Sequence, residues 1–307
     1  MDTDTLESQI LRSSVRWPRF VAAICALLLL LTLGGRPCLA APADHPWGDE
    51  PFTLGAAALL EAARSIPAEE GADFLTLFEE DHISFDSTGR MALASRGIAR
   101  LETERGVQAW SAFQAPWEPC HQDRPVIRAR VVTPDLSEHR LDPETIGEYP
   151  ATQDEPRGFD DRRVFRAPLP AVAVGAVVEW EAVNRESAPV FDHGVVHYFF
   201  PGSGEPTLRS RLVVDAPLAL PLRYVARLLP SPEPERTESG DRVKLVFDAG
   251  RIESLGAFDP LAPSDDPQRP YVAISTGTSR AEAASAFNRV VDSRIDLPQS
   301  RRWRTRL

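Results

Sequence analysis

Lysine is almost missing from this 307-residue chain: one of its 34 basic residues is a lysine, Lys244, and the others are arginines. The deficit is a coding bias of a GC-rich genome rather than a device for holding phosphate. The arginines are dispersed, and the formal net charge is −11. Nucleic acid needs a basic face, so that partner class is excluded. Cysteine is nearly as scarce, with three in all. Cys25 and Cys38 fall within the first 40 residues, which leaves Cys120 alone in the remaining chain. No intramolecular disulfide can then form, and packing must hold the fold. There is no glycine-rich phosphate loop, no zinc-finger spacing and no Gly-x-Ser-x-Gly. Each is the usual scaffold of a common chemistry, and each absence removes it.

No apolar run is long enough for a comfortable membrane span. Phe20 to Leu33 covers roughly 21 Å as a helix, against a hydrocarbon layer of about 30 Å. Arg12, Arg16 and Arg19 precede the run, and Gly34, Gly35 and Pro37 end it. Cys38-Leu39-Ala40 then offers small residues for cleavage before Ala41. Residues 1–40 therefore read as a secretory signal peptide, placing the protein in the periplasm or outside the cell. The rival is an inner-membrane anchor through residues 20–35. Gly35-Arg36-Pro37 does not fit a lipoprotein signal, and no Arg-Arg pair marks twin-arginine export. Asp2, Asp4 and Glu7 are unusual in such a leader, which raises the expectation of a start codon further in.

After a flexible lead, Thr53 is expected to cap a short helix over Leu54 to Ser65, which Pro67 ends. Lead and helix together occupy residues 41–71. Period-2 alternation then takes over and predicts a β domain across residues 72–275. Asp73 to Phe85 and Met91 to Leu101 flank Asp86-Ser87-Thr88-Gly89, a hairpin signal. Further strands are expected at Val107 to Phe113, Val126 to Thr133, Val172 to Val183 and Val195 to Phe200. Leu208 to Val214, Leu222 to Leu229, Val243 to Phe247 and Tyr271 to Ser275 complete the set. Arg128 and Arg130 alternate with Ile127, Ala129 and Val131, as in a half-buried strand. The continuously apolar Val195 to Phe200 reads as central. The fold class is thus mainly β, an antiparallel sandwich of many short strands with a short N-terminal and one C-terminal helix. Ser279-x-x-Glu282 opens that last helix within residues 276–307, and Ala283, Phe287 and Val290 line one face of it.

Several segments in order resemble a known family. They are Arg128 to Asp135, Leu141-Asp142-Pro143-Glu144-Thr145-Ile146, Pro168 to Val172 with Gly175 to Glu179, Arg209 to Leu212, Ala216-Pro217 and Pro221 to Tyr224. Together, over residues 72–275, they resemble an uncharacterised domain of exported bacterial proteins that stands before a transglutaminase-like, papain-type cysteine core. The resemblance implies a β-rich domain with no assigned activity. It also implies that residues 276–307 are the start of such a core. Leu136 replaces the usual hairpin glycine, so that turn is expected to differ locally. No cysteine follows Cys120 and no histidine follows His197, so the family neighbour's catalytic machinery has no counterpart here.

Three constellations are candidates for chemistry. Cys120-His121 pairs a thiol with a base, but neighbours on an extended chain point to opposite faces. His193 and His197, with Asp192, have a helical metal spacing but lie about 13 Å apart on a strand. Glu179 and Glu181, about 7 Å apart on one strand face, have a glycosidase-like separation; an exposed face of alternating charge is the commoner origin of that pattern. Trp110, Trp117, Trp180, Tyr198 and Phe199 are candidates for a sugar platform, with core packing the main alternative. The expectation is no catalytic, cofactor-binding or metal-ligating residue, no cofactor, and no enzyme within this chain. The leading expectation is a noncatalytic scaffold or binding module, with an adjacent transglutaminase-like domain, an envelope peptide or a glycan as partner. The alternatives are a freestanding glycan- or peptide-binding domain and, weakest, a hydrolase.

Overall fold

Alternation is what places most of these strands. A computed structural model describes Trp47 and residues 50–151, 161–188, 195–202, 204–254, 259–263, 266–277 and 279–295. The leader, Asp192 and His193 lie outside the described residues. The strands are β1 (Phe74–Phe85), β2 (Met91–Leu101), β3 (Ala112–Trp117), β4 (Val126–Val132), β5 (Glu138–Arg140), β6 (Gly147–Pro150) and β7 (Arg163–Pro168). They continue with β8 (Val177–Arg185), β9 (Val196–Phe199), β10 (Thr207–Pro217), β11 (Arg223–Arg227), β12 (Glu235–Ser239), β13 (Arg242–Ile252) and β14 (Tyr271–Ser275). The α-helices are α1 (Ala56–Arg64), α2 (Glu104–Ala109) and α3 (Arg280–Ile295).

One eight-stranded sheet runs β12-β13-β10-β1-β2-β8-β4-β5. Two three-stranded sheets, β11-β14-β9 and β3-β7-β6, accompany it. The pairings of the large sheet are antiparallel except β1 with β10, which run parallel. Glu79, Gly97, Trp180 and Ala129 form one row across four strands of it. Trp180 and Ala129 belong to the core under β3-β7, and Ile83, on the same face as Glu79, belongs to the core under β9-β14-β11. Both small sheets therefore cover one face, as in a sandwich. The opposite face packs Leu75, Phe78, Ile98, Val132 and Val177 against Trp47 and the α1 residues Leu59, Leu60 and Ala63.

The structure differs from the sequence expectations at definite points. Val107 is helical, because Thr103 caps α2 by accepting from the Gly106 N–H at 3.2 Å. The helix α1 is capped by Gly55 without a side-chain bond, and Thr53 instead donates to the Glu50 carbonyl. Residues 172–176 form the turn before β8, with Gly175 at φ +80°. The strand β9 is an edge, with Val196 and Tyr198 exposed. The Pro/Glu segment beyond β11 contributes the edge strand β12. Leu136 keeps the turn geometry that glycine would take, at φ +71°, with the Asp135 carboxylate accepting from Ser137 N–H. On α3, Ser279 does accept from Glu282 N–H at 3.2 Å. Phe287, however, is 56% exposed, while Ala286 is buried. The side chains of Ala283 and Val290 lie outside the description.

Candidate functional site

The carboxylate pair on β8 is spent on structure. Glu179 and Glu181 were expected on a solvated face or in acid–base work, and they do neither. Both are buried. Register sets Glu179 beside Arg130 and Glu181 beside Arg128. Arg130 donates to Glu179 Oε2 through Nε at 2.8 Å and Nη2 at 2.5 Å, and to Glu138 through Nη1 at 3.0 Å. Arg128 donates to Glu181 Oε2 at 2.9 Å. Phe52 N–H donates to the other oxygen of Glu179 at 2.6 Å, and the Phe52 ring covers both guanidinium groups. Glu80 continues the ladder by accepting from Arg96 and Arg211, which flank the Phe78 ring. The Phe52 segment thus shields the Arg130–Glu179 pair from water, while the Arg128 side chain stays 54% exposed. An ion pair held this way has no free base and no room for a substrate.

Cys120 and His121 do come together, contrary to the extended-chain argument. Residues 118–121 form a turn, in which His121 and Gln122 N–H donate to the Glu118 carbonyl at 3.2 and 2.9 Å. Cys120 Sγ lies 3.1 Å from His121 Nδ1, and Glu118 Oε2 lies 3.6 Å from that same nitrogen. A nucleophile–base–orienter relay needs the two ring nitrogens to serve different partners. Here both partners converge on one. Burial and the nearby carboxylates of Asp161 and Glu118 push the Cys120 thiol up, so it is not an activated thiolate.

The tryptophans mostly serve the core. Trp110 meets Phe74 edge-on, Trp117 stacks on Phe165, and Trp180 packs on Phe113. The surface aromatics lie elsewhere. Alternation along β9 and β14 turns Phe199, Val272 and Ile274 inward and Tyr198 outward, in one row with Ala273 and Val225. Tyr198 and Phe200 stack at 6.0 Å with 10° between their planes, and Tyr271 lies 6.0 and 6.1 Å from them. The Arg269 guanidinium sits 6.0 Å over Phe200. Arg223 and Arg227 are exposed on the neighbouring β11. Phe200 is missed by a search for tryptophan platforms, and so is Tyr271; the signal was their place at the ends of adjacent strands.

Beside this surface, Glu79, Asp81, Trp180, Phe199 and Phe200 line an open cleft of about 240 Å³. His197 Nε2 lies 3.9 Å from Asp81 Oδ2, too far for a hydrogen bond. Its proposed pairing with His193 lies outside the described residues. Glu79 accepts from Ser210 Oγ at 2.5 Å and Gly202 N–H at 2.6 Å. Burial nevertheless pushes its carboxyl above the usual glutamate range, against those two bonds and with help from Asp81. The folded state therefore keeps this proton to higher pH than the unfolded state. Stability falls as pH rises from the ordinary glutamate pKa through the folded one. Glu79→Gln keeps an acceptor oxygen and removes the ionisation. Its urea midpoint relative to wild type should climb across that window and level off above it. A difference flat from pH 4 to 8 would show that Glu79 is not held protonated.

A family model matches residues 87–254, more than half of the chain. The chain belongs to the DUF3857 family. It is described as a domain of unknown function with solved structures. The DUF3857 match begins at the turn before β2 and ends at β13, yet β1 sits between β2 and β10. The folded unit thus extends N-terminal of the matched span. A crystal structure from Parabacteroides distasonis, provisionally described as a protease, is similar with a TM-score of 0.62 at 13% identity, over 76% of this chain and 45% of that one. The DUF3857 chain therefore spans less than half the length of that protein, and the likeness is one of fold. Yeast LTA4 hydrolase in complex with bestatin aligns at 9% identity with a TM-score of 0.32, over 70% of this chain and 32% of that one. No curated protein matches the chain. Among the described residues no helix is long and apolar enough to cross a membrane.

Proposed function

We propose that this DUF3857 chain is a noncatalytic β module of an exported protein, and that its aromatic–arginine sheet face docks a transglutaminase-like domain. The observation that carries this is the face formed by Tyr198, Phe200 and Tyr271 with Arg269, Arg223 and Arg227. Tyrosine, phenylalanine and arginine on a rigid sheet are the residues that dominate protein interfaces. Stacked rings that remain half exposed on a folded surface are a preformed anchor with little entropy left to lose. Exposed Phe287 on α3 adds a second uncovered aromatic, where a freestanding domain would pack it down. The partial coverage of the Parabacteroides distasonis protein supports a module joined to something larger. Export rests on the residues 1–40 leader.

The test supplies a transglutaminase-like domain in trans to the full mature chain and measures binding by calorimetry. Micromolar binding is expected, with affinity falling at least tenfold in Tyr198→Ala/Phe200→Ala, about 1.4 kcal/mol. No binding, or binding that the double variant leaves unchanged, overturns the reading. Binding to purified peptidoglycan instead would favour a freestanding envelope-binding domain.

A further inference from the structure

The turn of residues 118–121 brings together the donors that the relay argument leaves unexplained. Glu118 carboxylate, Cys120 Sγ and His121 Nδ1 all lie within 4.8 Å of one another. The Cys120–His121 separation is 3.1 Å and the His121–Glu118 separation 3.6 Å. Zinc bonds of about 2.3 Å to sulfur and about 2.0–2.2 Å to nitrogen or oxygen put tetrahedral ligands roughly 3.3–3.6 Å apart. The observed spacings bracket that edge length. Convergence on one point defeats a catalytic relay, and it is what a metal ion requires. Three protein donors suffice, because zinc sites with three protein ligands take water in the fourth position.

The turn is also built to hold its shape. Pro119 stiffens it, and Gln122 Oε1 accepts from Glu118 N–H at 2.9 Å. The His121 carbonyl accepts from Ser187 N–H at 2.9 Å and Ala188 N–H at 3.3 Å, and Asp123 N–H donates to the Arg185 carbonyl at 2.9 Å. These bonds strap the turn to the end of β8. Three donors from four consecutive residues are thereby presented without a large ordering cost on binding.

We propose that Glu118, Cys120 and His121 form a three-ligand binding site for one divalent transition-metal ion of the zinc class. A mixed sulfur, nitrogen and oxygen set selects Zn²⁺ over Ca²⁺ or Mg²⁺, which take oxygen ligands. On binding, the Cys120 thiol releases its proton to solvent and the thiolate becomes a ligand. The turn is exposed at Cys120, so the ion can enter from water.

The experiment titrates the full mature chain with Zn²⁺ by calorimetry and, separately, with Co²⁺ by absorption. One equivalent should bind, Co²⁺ should give a thiolate-to-metal charge-transfer band, and Mg²⁺ should not compete. Cys120→Ser should abolish the band. His121→Gln and Glu118→Gln should each weaken Zn²⁺ by at least the 10–100-fold typical of losing a mere outer-shell partner. The Glu118 side chain is 45% exposed, so Glu118→Gln tests the site with little threat to the fold. Circular dichroism checks that each variant is folded. Absence of stoichiometric Zn²⁺ binding, a Co²⁺ complex lacking the sulfur band, or affinity unchanged in the folded Glu118→Gln and Cys120→Ser proteins would overturn the proposal.

Discussion

Arg130→Ala should cost about 3–5 kcal/mol of folding stability, the size expected when one member of a buried ion pair is removed. The Arg130 side chain is 3% exposed and Glu179 6%. Three groups lose a partner at once, although Glu138 keeps Arg140. Glu179 Oε2 loses two donors, Glu138 loses one, and the Leu54 carbonyl loses a bond of 2.7 Å from Nη2. Glu179 keeps only Phe52 N–H, on its other oxygen. Phe52 and Leu54 lead directly into α1, so the damage should spread to the N-terminal segment that shields this face. Hydrogen exchange over residues 50–66 should accelerate together with the drop in urea midpoint. The pair also has a stringent internal control. Arg130→Met with Glu179→Leu removes both charges and should recover most of the loss, because the pair offsets its own desolvation only approximately. A single variant that loses less than 1 kcal/mol would show that water reaches Glu179.

That face marks where sequence pattern stops being informative. Arg128 and Arg130 alternating with Ile127, Ala129 and Val131 correctly placed β4 and its two faces. The alternation of Trp180 with Glu179 and Glu181 placed β8 equally well. What the pattern could not carry is that the two charged rows are neighbours. That follows from the β4–β8 register, a pairing about 50 residues apart along the chain, and from the cover supplied by Phe52 and α1. A charged period-2 row therefore looked like a solvent face when it was an internal salt-bridge ladder. The hairpin of β1 and β2 was legible because its signal is local: Asp86 Oδ1 accepts from Thr88 and Arg90 N–H. The Ser279 cap was legible for the same reason. The aromatic surface was only half legible. Tyr198 was in view as a platform candidate, but Val195 to Phe200 is apolar and aromatic apart from His197, and nothing local reveals that β9 is an edge. The convergence of Cys120 with His121 was hidden because Pro119 and the Glu118 carbonyl bend a chain that period alone would leave extended.

The misplaced third strand leads to the second large effect. Gly106→Ala in α2 should destabilise by about 2 kcal/mol or more, although alanine is favoured over glycine in a helix by roughly 1 kcal/mol. Contact decides the sign. A methyl on Gly106 would stand 2.1 Å from the Asp73 carbonyl oxygen, which is backbone and cannot swing aside. The same oxygen accepts from Glu102 and Thr103 N–H at 3.0 and 3.2 Å, and the Asp73 carboxylate accepts from Thr103 Oγ1 at 2.7 Å and Arg105 Nε at 3.2 Å. The Thr103 and Arg105 bonds hold that carboxyl below the usual aspartate range. Asp73 is thus the post on which the start of α2 is hung, and glycine at 106 lets the helix approach it. Propensity alone reads Val107 to Phe113 as strand because it ignores this close approach. Gly55→Ala supplies the comparison, since its new methyl meets nothing within 4 Å and should shift stability by no more than about 0.5 kcal/mol. Thermal unfolding of the two variants side by side checks it. If Gly106→Ala proves as stable as wild type, α2 does not rest on Asp73, and the Thr103 cap alone must account for a helix where the sequence alternates like a strand.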